Sequence, residues 1–309
     1  MVGNHKTGNE ESSKYFDAHA LAGLEAMRFS TRRRIEGTYS GRHVARRQGG
    51  AGQFIDSREY SPGDDLRRLD WPAMGRTGRA YIRLYQDETN LSCLLTVDTS
   101  GSMQFGGRSR FDETGSKLQW VKYFTTALSH LIVHGHDQVG LAIANSNESD
   151  FLVPSAAPRQ LRILHERIAK TGATGFTELG QSLDNSFLRT RRRGVLMLVS
   201  DFLVERFDEV LASLRKFRGR GWETIAVHVV HPDEERLPQG VAFRFAGMEG
   251  EGHVDCRPAE IRKEYEQRFA DHCTRVRDGL LGAGCDYRRF STGESYLNAV
   301  RAFLVPRRG

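Results

Sequence analysis

Val97-Asp98-Thr99-Ser100-Gly101-Ser102-Met103 follows directly on the apolar run Leu91 to Val97 and reads D-x-S-x-S. A hydrophobic strand that ends on an aspartate and turns through two hydroxyls brings three oxygen ligands to one sheet edge. Hard oxygen donors of this kind suit magnesium or manganese. Asp and Ser after a strand also serve as turn formers and helix caps, so the metal reading rests on two distant segments. Gly175-Phe176-Thr177-Glu178-Leu179-Gly180 sets the Thr177 hydroxyl in a glycine-rich loop ahead of a helical run, and Val195 to Ser200 is a second apolar strand that ends on Asp201. Acidic and hydroxyl groups at the carboxyl ends of separate strands of one open sheet lie where α/β folds bind ligands.

Outward from these two strands the chain alternates. Strands are expected at 91–97, 138–144, 195–200, 224–230 and 285–290, with a short edge strand at 151–153. Helical periodicity covers 117–133, 161–168, 179–188, 207–217, 259–281 and 294–303. The alternation predicts an α/β fold with a mostly parallel, doubly wound sheet and helices on both faces. A Gly-rich excursion at 238–255 reads as a hairpin. Ahead of this domain, residues 1–15 read as a disordered leader, and Asp17 to Arg28 as a capped helix with Leu21, Leu24 and Met27 on one face. Residues 54–60 and 80–85 read as strands of a small N-terminal β module, giving a division at 1–15, 16–90 and 91–309.

The 309 residues can bury a large core, and 39% hydrophobic with 27% charged residues is ordinary for a soluble globular protein. No apolar run reaches the roughly 18 residues of a membrane span, and the N-terminus lacks a signal-peptide centre, which predicts a cytoplasmic protein without membrane insertion. Four cysteines without a C-x-x-C pair imply reduced, mostly buried thiols. A net charge of +6 is spread over short basic runs mixed with acids, and no nucleic-acid-binding signature accompanies it.

Asp98, Ser100, Ser102, Thr177 and Asp201 resemble, in order and context, the metal-ion-dependent adhesion site of von Willebrand factor type A domains. The resemblance implies that the hydroxyls ligate Mg2+ or Mn2+, that the aspartates hold it mainly through bound waters, and that a partner's carboxylate fills the remaining position. A second dense segment, Ser57-Arg58-Glu59-Tyr60-Ser61-Pro62-Gly63-Asp64-Asp65-Leu66-Arg67-Arg68-Leu69-Asp70-Trp71, lies upstream. Pro62-Gly63 fits the centre of a type II turn. Followed by Arg76-Thr77-Gly78-Arg79 and then the metal motif, the segment resembles domain-of-unknown-function family fifty-eight. Ser200-Asp201-Phe202, His231-Pro232-Asp233-Glu234 and Gly284-Cys285-Asp286-Tyr287 add to that likeness. Glu178 stands where the family commonly has Asp.

The family resemblance implies an adaptor that partners a MoxR-type AAA+ ATPase or its client. Arg58, Asp64, Asp65, Arg67, Asp70, Trp71 and Arg76 would form a polar partner-binding platform in the β module, with Trp71 as its apolar anchor. No nucleophile elbow, phosphate-cradling loop or zinc spacing is present. His134-Gly135-His136 reads as a helix stop, and His228 and His231 point to opposite faces of a strand. A magnesium-dependent phosphoryl-transfer or hydrolytic enzyme using the same oxygen-rich site is the alternative to a binding module.

Overall fold

The computed structural model describes residues 14–30, 53–64, 66, 69–86, 91–106, 115–145, 150–173, 175–190, 193–237, 243–247 and 252–306. Of the leader expected over residues 1–15, residues 1–13 lie outside them, while Tyr15 packs edge-on against the Tyr123 ring at 5.1 Å. In chain order the elements are helix α1 (Ala18–Ala22), strands β1 (Met27–Phe29) and β2 (Gln53–Glu59), helix α2 (Trp71–Thr77) and strand β3 (Tyr81–Gln86). Then come β4 (Ser92–Asp98), α3 (Lys117–His134), β5 (Gln138–Ala144), β6 (Asp150–Ser155), α4 (Pro158–Lys170), α5 (Leu179–Arg189) and β7 (Val195–Ser200). The chain continues through α6 (Phe207–Gly219), β8 (Glu223–Val230), α7 (Pro232–Glu235), the hairpin β9 (Phe243–Ala246) and β10 (His253–Cys256), α8 (Pro258–Gly282), β11 (Asp286–Ser291), α9 (Tyr296–Arg301) and β12 (Leu304–Pro306).

Six strands form the central sheet in the order β11-β8-β7-β4-β5-β6, all parallel except the edge strand β6. β4, β7 and β8 are buried along their whole length, which is why they read as continuous apolar runs rather than alternating ones. Alternate residues nonetheless serve different cores. Cys93, Leu95 and Val97 face a cluster with Trp120 and Phe124 of α3, Leu164 of α4 and Val300 of α9, whereas Leu94, Leu196 and Leu198 face one with Leu183 of α5, Leu214 of α6 and Leu280 of α8. Helices therefore cover both faces, as the alternation predicts. From β4 the chain moves outward to β5 and β6 on one side, then crosses back to β7, β8 and β11 on the other. The crevice where the direction reverses lies between β4 and β7, the position at which doubly wound sheets bind ligands.

Two expectations are corrected. The helix expected over Asp17–Arg28 stops at Ala22. Asp17 does cap it, accepting the Ala20 N–H at 3.0 Å, but Gly23 follows as its C-cap, and Met27–Phe29 pairs antiparallel with Leu304–Pro306. Phe29 is buried while Arg28 is exposed, a two-residue period that the apolar spacing from Leu21 concealed. The domain division also shifts. Leu21, Leu24 and Phe29 join the large core, so the N-terminal helix and strand belong with the larger compact unit, and the smaller unit spans 37–90 rather than 16–90. Within that smaller unit, β2 and β3 form an antiparallel ribbon. Its third element, α2, is a helix that no strand reading anticipates: Asp70 caps its start, Pro72 sits in its first turn and Gly78 ends it in the left-handed region. Among the described residues no helix is long and apolar enough to cross a membrane.

Candidate metal centre

Parallel pairing sets Val97 of β4 opposite Val199 of β7, so the chain leaves both strands at the same sheet edge. Asp98 is wholly buried there. One carboxylate oxygen accepts the Ser100 N–H at 2.9 Å and the other accepts the Ser200 hydroxyl at 2.5 Å. The first bond curls the backbone into an Asx turn. The turn brings the Ser100 and Ser102 hydroxyls to 3.0 Å from each other at the start of a short 3-10 turn, Gly101–Gln104. The Gly101 N–H donates to the Gly175 carbonyl at 2.8 Å, which ties the serine loop to the loop carrying Thr177. The Thr177 hydroxyl is shielded from solvent and makes no hydrogen bond among the described residues.

Asp201, one residue beyond β7, completes the edge. Its Oδ1 accepts the Leu203 N–H at 3.1 Å, its Oδ2 accepts from Lys117 Nζ at 2.6 Å, and the Ser102 hydroxyl also hydrogen-bonds to it. Phe202 adopts the left-handed conformation at φ 55°, a strained choice for an aromatic residue. Its N–H is held by the Ser200 hydroxyl at 2.8 Å and its ring packs edge-on against His228. The four predicted residues Asp98, Ser100, Ser102 and Asp201 thus share one hydrogen-bonded network, and the fifth, Thr177, sits on a loop bonded to it.

The charges in this network are far from their ordinary balance. Burial, followed by the nearby Asp201 charge, pushes the Asp98 carboxyl up to about 6. Burial acts on Asp201 in the same direction, but the Lys117 ammonium outweighs it and holds Asp201 below the usual carboxylate range. Two hard carboxylates, two adjacent serine hydroxyls and an unpartnered threonine hydroxyl form a donor set that fits a small divalent cation. The unmet needs of the network, a bare hydroxyl and repulsion between acids, are those such an ion would relieve. Among the described residues no group of three His, Cys, Asp or Glu side chains converges as a metal site, and His228 and His231 take other roles. His228 Nδ1 lies 2.8 Å from the Tyr287 hydroxyl, and His231 Nδ1 accepts the Asp233 N–H at 3.1 Å.

Lys117 and Glu234 belong to the site and were not singled out for it from the sequence. Lys117 is the first residue of α3 and is completely buried; its ammonium bonds both Asp201 and Glu234. One signal was available. A lysine at a helix N-terminus opposes the helix dipole and so calls for local anions.

The residues proposed for a platform in the smaller unit take separate roles. Arg58 pairs with Asp64 at 2.6 Å, and the Asp64 N–H donates to Ser61 O at 3.0 Å, closing the turn in which Gly63 has φ 104°. Asp70 is a helix cap, bonded to the Ala73 N–H at 3.0 Å. Arg76 lies exposed in the last turn of α2. Asp65 and Arg67 lie outside the described residues. Trp71 is 66% exposed and does not anchor the unit's interior, because at the first position of α2 its ring projects from a helix with no buried residue. Cys93, Cys273 and Cys285 are buried, as the sparse cysteines implied.

Residues 56–275 match the sequence model of the family described as a protein of unknown function, DUF58. An uncharacterized protein of Mycobacterium tuberculosis is 27% identical over 302 residues, spanning 94% of this chain and 91% of that protein. Among solved structures, the conserved hypothetical protein BatB from Bacteroides thetaiotaomicron is similar with a TM-score of 0.44 at 14% identity, over 69% of this chain and 95% of that one. The VWA domain of SpRpn10 is similar with a TM-score of 0.42 at 10% identity, over 68% of this chain and 94% of that one.

Proposed function

We propose that this chain, which belongs to the DUF58 family, is a protein-binding adaptor that captures an acidic side chain of its partner through a divalent metal ion. The observation that carries the reading is the shielded, unpartnered Thr177 hydroxyl on a loop bonded to the paired Ser100 and Ser102 hydroxyls. A buried hydroxyl without a partner is unfavourable by about 1–3 kcal/mol, and a ligand that uses it removes that penalty. Ser100, Ser102 and Thr177 would hold Mg2+ or Mn2+ directly, with Asp98 and Asp201 holding its waters. Bound there, the ion supplies positive charge and an exchangeable coordination position, for which a carboxylate is the natural hard ligand.

The partner class implied by the family resemblance is a MoxR-type AAA+ ATPase or its client. The alternative, phosphoryl transfer or hydrolysis, requires a cationic group free to meet the developing phosphate charge. Lys117, the ammonium at the site, is buried and engaged by two carboxylates, which favours binding over catalysis. Calorimetric titration of the candidate ATPase into the protein, with magnesium and with chelator, tests the reading. Binding should be lost in chelator and in Asp98→Asn, and equal affinity in all arms would refute metal-bridged recognition.

A further inference from the structure

We infer that Lys117 is a resident counter-cation of the centre, holding Asp201 and Glu234 in place without metal, so that an incoming divalent ion must share Asp201 with it. The inference rests on the proposed metal reading only for its second half. The first half stands on the ion triad itself.

Fully buried lysines are rare unless paired, and this one has no exposed side-chain surface. Its ammonium meets Asp201 Oδ2 at 2.6 Å and Glu234 Oε1, with the Phe105 ring centroid 5.8 Å away. Each carboxylate uses its other oxygen on the backbone of its own loop: Asp201 accepts the Leu203 N–H at 3.1 Å and Glu234 the His231 N–H at 2.9 Å. Lys117 therefore cross-links the start of α3, the loop after β7 and the turn after β8. Without an ammonium there, two carboxylates would face each other in a desolvated pocket, the arrangement in which removing one partner of a buried pair is strongly destabilising.

The charge count extends the argument to the ion. Asp98, Asp201 and Glu234 are opposed by one ammonium, leaving two negative charges, the number one divalent cation carries. Yet that cation would lie beside an ammonium already bonded to one of its own holders, and like charges at such range repel strongly in a low dielectric. The centre is thereby built to fold without metal and to bind it weakly enough for exchange, in contrast to sites where the metal supplies the folding energy.

Thermal melts and manganese binding followed by electron paramagnetic resonance, on wild type, Lys117→Met, Glu234→Gln and the double variant, test this. In chelator Lys117→Met should melt about 5–8 °C lower than wild type, and adding Glu234→Gln should restore more than half of that loss by removing one uncompensated charge. Manganese should raise the melt of Lys117→Met more than that of wild type and bind it at least ~10-fold tighter, the repulsion being gone. Glu234→Gln alone should leave the fold intact and weaken manganese binding. Unchanged stability of Lys117→Met in chelator, or a double variant no more stable than Lys117→Met, would overturn the counter-cation role. Manganese binding to wild type but not to Lys117→Met would overturn the sharing of Asp201. If no protein in the set bound manganese, the metal reading would fall, and the stability cycle would still decide the role of the lysine. Should Lys117→Met be insoluble without metal, recovery of soluble protein in manganese or in the double variant supports the inference, and failure of both refutes it.

Discussion

Replacing Thr177 by valine separates a ligand from a structural hydroxyl. The two side chains have nearly the same shape, and the Thr177 hydroxyl is shielded without a hydrogen bond among the described residues. An unsatisfied buried hydroxyl is unfavourable by about 1–3 kcal/mol, whereas an apolar isostere carries no such penalty. In chelator Thr177→Val should therefore match wild type or exceed it by about 1 kcal/mol. With metal the order reverses. An ion present at 100 times its dissociation constant stabilises the folded state by about 2.7 kcal/mol, which for a chain of this size is a rise of roughly 4 °C in melting temperature. Thr177→Val should lose most of that rise. Differential scanning calorimetry of both proteins, in chelator and in millimolar manganese, reads the two effects in one experiment. A loss of more than about 1 kcal/mol in chelator would mean that the hydroxyl serves the fold. A metal-induced rise equal to that of wild type would remove Thr177 from the ligand set.

Asp98→Asn keeps an acceptor for the Ser100 N–H and removes a buried charge set against Asp201; its melt in chelator should lie above wild type and should not respond to manganese. His165, buried against Ser129 and Phe16, is pushed down to about 4 by burial and then by the His130 charge. Its folded value lies below the unfolded value, so the unfolded chain takes up the proton first as pH falls, and this contribution is full above pH 6.5 and lost between 6.5 and about 4. His165→Gln should flatten the fall in urea-derived stability across that window by up to about 3 kcal/mol, and an unchanged slope would show that another group governs it. Gly140→Ala should lower stability by about 1–3 kcal/mol in the same assay, because a Cβ there would come within 2.5 Å of the Leu152 carbonyl and 2.7 Å of Pro154 N, both backbone atoms.

The sheet was legible because its inner strands are buried on both faces. Leu94 to Val97, Val195 to Val199 and Ile225 to Val230 cannot be amphipathic helix faces at that length, and the helices between them carry clear apolar stripes. The edge pieces were less legible because their pairing is long-range. Met27–Phe29 is a strand only because Leu304–Pro306 lies beside it, and nothing local to either tripeptide records that partner. α2 illustrates the opposite case. Its signals are all local, an aspartate cap, a proline and a terminal glycine, but Gly75 and Thr77 within a seven-residue helix weaken the propensity that would have identified it.

The centre divides in the same way. Asp98, Ser100 and Ser102 are close in sequence because the Asx turn that aims them is local, and Asp201 is found by asking what ends the neighbouring strand. Lys117 reaches Asp201 across 84 residues and Glu234 across 117, through contacts created by packing rather than by sequence spacing. What identifies them is a conflict between levels. Lys117 sits where the helix dipole disfavours a cation, and it is buried where a charge is unfavourable unless compensated. A residue that violates two local rules persists in a stable fold only if a third interaction outweighs both, and here that interaction is with the carboxylate at the end of β7. On the proposal above, the same ammonium that compensates the buried carboxylates would limit how tightly the pocket holds an ion, so one residue would serve both the folding and the binding chemistry.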